Sequence, residues 1–440
     1  MKTEPVPVLI PRLSAMMFLQ YAIWGAWLPI LLPYLVHLDF KGNQIGNMFA
    51  AGAIGAIVAP FIAGQIADRW FSTQKFLGLL HIAGAVLMWQ LADIRSYGAF
   101  LLFSLAYSLL YAPTMPLTNS LAFHHLPDTK LFGKVRLWGT IGWIAVGIAM
   151  GQWLLHVHTP ADGTHELVKA AQDAGRADAF RLSAILGAVM GMYCFTLPDT
   201  PPLRGTSKLA IVEAFGAVKR NPLLTLFLLS IPVACIHQFY FVHTSGFLSA
   251  FQSGGSGSLD AIFGVGGGGI MTIGQMSEIA LLALVPIAAR RMSRKSILAV
   301  GLAAYALRMA LFAYVHDLGF PPMLTLVAGV ALHGVCFGCF IFFAFMIIDE
   351  EAPTDVRAST QSLYNLIIIG IGVIVGSVVS TAISDWAQGG ADKKLDYANP
   401  EHTRHLFSVP MWASLAVLAL LLVFYPGGHR SPSNAPLRNP

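Results

Sequence analysis

The sequence predicts an all-α membrane protein, with twelve transmembrane helices in two six-helix halves and both termini in the cytoplasm. Three observations lead there. Of 440 residues, 56% are hydrophobic and only 11% are charged, with a mean hydropathy of +0.66. A soluble chain carries about 25% charged residues. Twelve apolar runs, at about 10–36, 43–67, 76–94, 98–122, 135–156, 181–198, 222–248, 265–289, 296–315, 322–348, 361–384 and 406–426, are long enough to cross a bilayer as helices. The connecting segments alternate in charge. With a cytoplasmic N-terminus the inner segments hold eighteen Lys and Arg and the outer ones eight, which satisfies the positive-inside rule.

Taken in order, the chain opens without a basic and polar signal peptide ending in small residues before residue 30, so the first apolar segment is expected to remain in the protein. The net charge of +5 lies in short loops between apolar runs, so it implies no nucleic-acid partner. Gly64-Gln65-Ile66-Ala67-Asp68-Arg69 follows the second segment, and Ala289-Arg290-Arg291-Met292-Ser293-Arg294-Lys295 follows the eighth at the matching position. Long outer loops are expected at 156–180 and 386–405. The stretch from Pro198 to Asn221, rich in proline and basic residues, divides the helices six and six. It gives an N-terminal half over 1–198, a cytoplasmic linker over 199–221, a C-terminal half over 222–427 and a cytoplasmic tail over 428–440. Two six-helix halves around a midplane site describe a rocking transporter.

Cys194, Cys235, Cys336 and Cys339 all fall in apolar runs, so no extracellular disulfide framework is implied. Cys336-Phe337-Gly338-Cys339 has CxxC spacing but no βαβ context that would make it a redox motif. His156, His158 and His165 share an outer loop without the spacing of a metal site, so neither a metal nor a cofactor is expected. The chain also lacks HExxH, GxSxG and nucleotide-binding loops, which argues against a membrane-embedded enzyme.

The most informative residue is Glu278, the one carboxylate in the run from about 265 to 289. Its nearest charges are Asp260, eighteen residues before, and Arg290, twelve after. Twelve residues of helix span roughly 18 Å, which puts Glu278 near the bilayer midplane. A carboxylate there is costly unless it is paired, protonated or facing a polar cavity. It therefore reads as a substrate or proton site, with a protonated glutamate joining two helices as the structural alternative. Gln275, three residues earlier, shares its face.

Other polar residues recur at helical spacing. Arg136, Thr140 and Trp143 stand at i, i+4 and i+7 in the fifth segment and form one face. They offer a fork of donors, a hydroxyl and a flat ring, a set suited to a planar, hydroxyl-bearing solute. The alternative for Arg136 is snorkelling to the cytoplasmic headgroups. His237, Gln238 and Phe241 lie within the seventh segment, and His333 and Phe337 share a face of the tenth beside Gly334 and Gly338. An interhelical amide is the structural reading of Gln238, and a packed, hydrogen-bonded ring that of His333, although histidine also suits a proton carrier. Gln20, Trp24 and Trp27 make a further polar and aromatic stripe. Arg308 either snorkels outward or pairs with an acid. Gly370, Gly372 and Gly376 let helices approach closely. Asp349-Glu350-Glu351 near Arg357 reads as a cytoplasmic gate or a capped helix start.

Several stretches together resemble the bacterial nucleoside:proton symporter family of the major facilitator superfamily. They are Phe18-Leu19-Gln20 with Trp24-Gly25 and Trp27-Leu28; Tyr111-Ala112-Pro113-Thr114; Arg136 to Gly142; Phe195-Thr196-Leu197-Pro198; Gln275 with Ser277-Glu278; Leu307-Arg308 with Ala310 to Tyr314; and Arg357-Ala358-Ser359 with Gln361. They span nearly the whole chain in order, and the two loop stretches resemble the superfamily's loop motif. The resemblance implies the major facilitator fold with a nucleoside held between the halves. Arg136, Thr140 and Trp143 would line the N-terminal side, and Gln238, Gln275, Glu278 and Phe337 the C-terminal side. Three positions depart from the family pattern: Phe241 stands where an asparagine is expected, His333 where a tyrosine is expected, and Gly338 where an aspartate is expected. The lost carboxylate leaves Glu278 as the main candidate proton carrier, with His333 as a possible substitute.

The expectation is therefore a monomeric, multi-pass transporter of the bacterial inner membrane that imports nucleosides by proton symport. Its partners would be nucleoside, proton and lipid. A facilitator without proton coupling, or a transporter of another polar solute such as a sugar, is the alternative.

Overall fold

The computed structural model describes residues 6–67, 72–128, 131–201, 216, 218–252, 257–353, 356–390, 393 and 395–427. Asp68 and Arg69 of the first loop motif, most of the linker and the tail from 428 lie outside the described residues. The described chain is helical, as bilayer burial demands. Without water in the hydrocarbon every backbone N–H and C=O must find an internal partner, and a helix supplies one for each.

The N-terminal helices are α1 (Val6–Trp27), α2 (Leu31–His37), α3 (Asn43–Ala67), α4 (Thr73–Leu91), α5 (Tyr97–Tyr111), α6 (Thr114–His125), α7 (Phe132–Val157), α8 (His165–Gly175) and α9 (Asp178–Cys194). The C-terminal ones are α10 (Leu223–Phe251), α11 (Ser258–Phe263), α12 (Gly268–Arg291), α13 (Arg294–Ala313), α14 (Pro322–Ala331), α15 (His333–Cys336), α16 (Phe343–Glu351), α17 (Arg357–Asn365), α18 (Gly372–Ala387) and α19 (Pro400–Phe424). Among the described residues, ten helical stretches are long and apolar enough to cross a membrane. The helices α3 and α4, of 25 and 19 residues, cover two further predicted spans.

Four predicted spans are interrupted for local reasons, the first by a 3-10 turn over Leu28–Ile30 that contains Pro29. The fourth bends between α5 and α6, where Pro113 has no N–H to give the helix. The tenth breaks at Leu332 and then loosens into a π-helical turn over Phe337–Phe342. The eleventh carries a second π-helical turn, Leu366–Ile371. Such turns widen a helix by one residue and often mark functional positions. Some helix starts carry a side-chain cap. Ser293 Oγ accepts from the Ser296 N–H at 3.1 Å, and Asn399 Oδ1 accepts from the Glu401 N–H at 2.9 Å ahead of Pro400.

The helices form two compact units. The first comprises Met1–Thr206 with Tyr240–Thr272, and the second Ser207–Phe239 with Ile273–Pro440. In the first unit α1 packs along α7 and α9, and α4 along α9. The α1–α7 contact is close because Gly142 is a glycine: a Cβ there would lie 2.2 Å from the carbonyl oxygen of Phe18. The segment Tyr240–Thr272 is tied into this unit by polar contacts. Val265 N donates to Gly151 O at 3.1 Å and Gln152 Nε2 to Ala261 O at 3.0 Å. Arg176, 1% exposed, reaches Gly266 O at 3.1 Å, Ser249 Oγ at 3.3 Å and Asp173 Oδ1 at 2.9 Å. In the second unit α13 packs along α19 and against the broken helix α14–α16.

Candidate functional site

In the first unit, α7 carries Arg136, Thr140 and Trp143 on one face, as their spacing requires. The Arg136 guanidinium carbon lies 3.8 Å from the centroid of the Tyr21 ring, a cation–π contact that holds the side chain beside α1. Thr140 is half-buried on the next turn. Trp143 is buried and meets Trp24 edge-on at 5.5 Å and Phe241 at 6.4 Å. Phe241, the residue standing where an asparagine was expected, is thus placed with Trp143 and makes an aromatic surface instead of a polar contact.

Gln20, singled out as part of a stripe, has a different role. It is fully buried, and its Nε2 donates to Thr114 Oγ1 at 2.7 Å. Its Oε1 faces His81 Nε2 at 2.9 Å and accepts from Thr118 Oγ1 at 3.2 Å, while Tyr111 Oη donates to the Gln20 carbonyl at 2.5 Å. All the hydrogen-bonding groups of this amide are used inside the unit, so it joins helices α1, α4 and α6. His81 escaped the sequence reading, having no partner at i±3 or i±4 to draw attention to it.

In the second unit, Glu278 lies on α12 with its side chain 16% exposed. Its Oε2 is 3.8 Å from His333 Nε2. His333 is in place because α14 breaks just before it. The Gly334 N–H, displaced from its helical pattern, donates to Ser277 Oγ at 3.0 Å. A Cβ at Gly334 would lie 2.4 Å from the Ser277 carbonyl carbon and 2.6 Å from the Glu278 nitrogen, so α12 and α15 approach this closely only at a glycine. The His333 ring also stacks on His237, with centroids 5.2 Å apart and planes at 29°. Phe337 lies against both rings, 6.4 Å from His333 at 14° and 6.1 Å from His237 at 37°. His237 Nδ1 lies 2.8 Å from Tyr305 Oη.

Arg308 completes the cluster. It is 0% exposed, so it does not snorkel to the surface. Its NH1 lies 3.3 Å from His333 Nδ1, and its guanidinium carbon 5.0 Å from the Tyr305 ring centroid. A cation, a histidine pair and a carboxylate therefore run in sequence from α13 through α10 and α15 to α12. The sequence marks each of these residues as unusual within its own helix but not that they meet.

Gln275 is 6% exposed, and its Oε1 has no hydrogen-bond partner among the described residues. A buried amide oxygen without a partner is costly, which suits a group that takes its partner from a substrate. Gln238 differs, because its Nε2 donates to Ser377 Oγ on α18 at 3.1 Å and Gly376 lies against its Cβ. That is the interhelical amide of the structural reading, with Oε1 left for other contacts. Gly338 faces Leu281 and Val285, whose side chains a Cβ would meet at 3.5 and 3.4 Å. Two acids outside this cluster, Glu350 and Glu351, bind Arg294 at 2.6 and 2.5 Å, and Asp349 lies 3.7 Å from Arg357. These pairs tie the ends of α13, α16 and α17 together. His158 does not join the other loop histidines but bonds Asp178 Oδ2 at 2.7 Å.

A family model described as "Nucleoside H+ symporter" matches residues 8–429. YegT of Escherichia coli (strain K12) is 33% identical over 426 residues, covering 94% of this chain and 93% of that protein. The nucleoside permease NupG of the same organism is 26% identical over 400 residues, covering 85% and 90%. A crystal structure of the nucleoside transporter NupG, in a point-mutant form, superposes with a TM-score of 0.78 at 25% identity, covering 94% of this chain and 99% of that one.

Proposed function

The chain belongs to the nucleoside H+ symporter family, and from that premise we propose that it imports nucleosides by proton symport with alternating access. The observation that carries the proposal is Glu278, a carboxylate within an apolar helix, beside an unpartnered buried amide oxygen on Gln275 and an ordered histidine pair. Protonation removes the cost of carrying a carboxylate through a closed, dry intermediate. A substrate that hydrogen-bonds the same group then makes the loaded form the one that crosses.

In this reading Arg136 and Thr140 donate to ribose or base oxygens, and Trp143 and Phe241 supply ring surface. Gln275, Gln238 and Glu278 address hydroxyls and ring nitrogens, and Phe337 and His333 present stacked faces. The protein works as a monomer of twelve spanning helices in the bacterial inner membrane. Its two six-helix halves, 1–198 and 222–427, are joined by the linker, with both termini cytoplasmic. The experiment is uptake of radiolabelled uridine and adenosine into proteoliposomes, with sugars as competitors. Concentrative uptake that requires an inward proton gradient, and that nucleosides but not sugars inhibit, is the expected result. Equilibration without concentration would make it a facilitator, and inhibition by a sugar alone would reassign the substrate.

A further inference from the structure

We propose that His333 is the positioning residue through which Arg308 acts on Glu278, so that the pair Arg308–His333 sets the pH range over which Glu278 exchanges its proton. The proposal rests on Glu278 being the proton site. It assigns His333 a role distinct from that of a second proton carrier.

Arginine has five N–H donors and no acceptor, and it keeps its charge. Its NH1, 3.3 Å from His333 Nδ1, can bond that nitrogen only if Nδ1 carries a lone pair. A neutral imidazole has one N–H, so the proton of His333 stands on Nε2, which is the nitrogen facing Glu278 Oε2 at 3.8 Å. At that distance the Nε2–H edge faces the carboxylate as an electrostatic contact and not as a closed hydrogen bond. A second proton on His333 would have to sit on Nδ1, aimed at the N–H groups of Arg308. The ring is therefore held neutral, with its donor edge toward the carboxylate.

The surroundings keep it in that orientation. His237 on α10 stacks on the His333 ring at 5.2 Å and bonds Tyr305 Oη at 2.8 Å. Tyr305 on α13 lies beside Arg308. Cys336, on the same short helix as His333, is the remaining titratable group there. Among the described residues, the titratable and charged groups placed around the ring include His237, Tyr305, Arg308 and Glu278 from three neighbouring helices, with Cys336 on its own helix. Gly338 brings no carboxylate to this set, and its position faces the apolar Leu281 and Val285. An ionised Glu278 receives the Nε2–H donor that Arg308 orients, whereas a protonated one does not need it. Cutting the connection favours the protonated form.

The test is the pH dependence of uridine counterflow in proteoliposomes, each variant normalised to its own maximum. His333→Phe and Arg308→Gln should both displace the midpoint toward higher pH, by on the order of one unit. His333→Gln should restore most of the wild-type profile, because its amide can accept from Arg308 and donate to Glu278. Glu278→Gln should be flat with pH. If Glu278→Gln is flat and His333→Phe and Arg308→Gln keep the wild-type midpoint, the connection is overturned while the proton site stands. If Glu278→Gln keeps the wild-type profile, the proton site itself is misassigned. If Glu278→Gln retains a profile that His333→Phe abolishes, His333 is a carrier and the proposal is wrong. Should His333→Phe fail to fold, judged by gel filtration in detergent, the Arg308→Gln and His333→Gln pair decides.

Discussion

A single arginine illustrates how the residue scale works here. Arg136 is held over Tyr21, its guanidinium carbon 3.8 Å from the ring centroid, and the proposed function gives it a substrate oxygen to bind. Lysine would keep the charge but lose the planar fork and the stacking geometry. Arg136→Lys should therefore weaken nucleoside binding by about 1 kcal/mol, roughly fivefold, seen as a raised KM for uptake; an unchanged KM would mean that Arg136 only anchors α7. At this scale the sequence marks the candidate residues. Glu278 stood out because a lone carboxylate in an apolar run has few bland explanations, and Arg136, Thr140 and Trp143 because helical spacing puts them on one face. The sequence did not reveal partnership. Gln20 and Gln275 look alike as single glutamines in apolar segments. Only packing shows that the first is satisfied by Thr114, Thr118 and His81, while the oxygen of the second is left without a partner.

Within the second unit, Glu278 and His333 meet because a helix departs from regularity. The break before His333 frees the Gly334 N–H for Ser277, and the close approach it permits puts the imidazole beside the glutamate. Gly334→Ala must push α12 and α15 apart, because the added carbon would lie 2.4 Å from backbone. Overpacking of that kind costs about 1–3 kcal/mol, and a displacement near 1 Å at a working site can cost on the order of a hundredfold in rate. Uptake should fall by about that factor while the purified variant still elutes as a folded species; near-normal uptake would show that the contact is not needed. Periodicity cannot predict the break, since the apolar run from 322 to 348 reads as one continuous span. Loop elements give a contrasting expectation. Arg404 donates to both oxygens of Asp317, at 3.0 and 2.6 Å, and these bonds hold the carboxyl below the usual carboxylate range. A depressed acid stabilises above its unfolded value, near about 4, and that contribution disappears as pH falls through the lower folded value. The pair is exposed, so Asp317→Asn should lower Tm at pH 7 by less than about two degrees. The difference should shrink in acid, as thermal unfolding at pH 7 and pH 3 would show.

At the scale of the whole molecule, composition and the apolar runs were enough to give an all-helical membrane protein. A chain with so few charges must satisfy its backbone internally, and helices of this length do so across a bilayer. The compact units were less visible. Sequence suggests a cut at the linker, whereas Tyr240–Thr272 packs with the first unit through contacts such as those of Arg176 and Gln152, and no local pattern announces a tertiary contact of that range. What the molecule does with these parts comes down to whether one carboxylate links the proton gradient to the substrate. The measurement that tests this most directly is uridine transport by Glu278→Gln in proteoliposomes, followed both as gradient-driven accumulation and as counterflow exchange. The account predicts that accumulation is lost while exchange persists, because a permanently neutral side chain still binds and crosses but no longer carries a proton. Undiminished gradient-driven accumulation by the variant would contradict it.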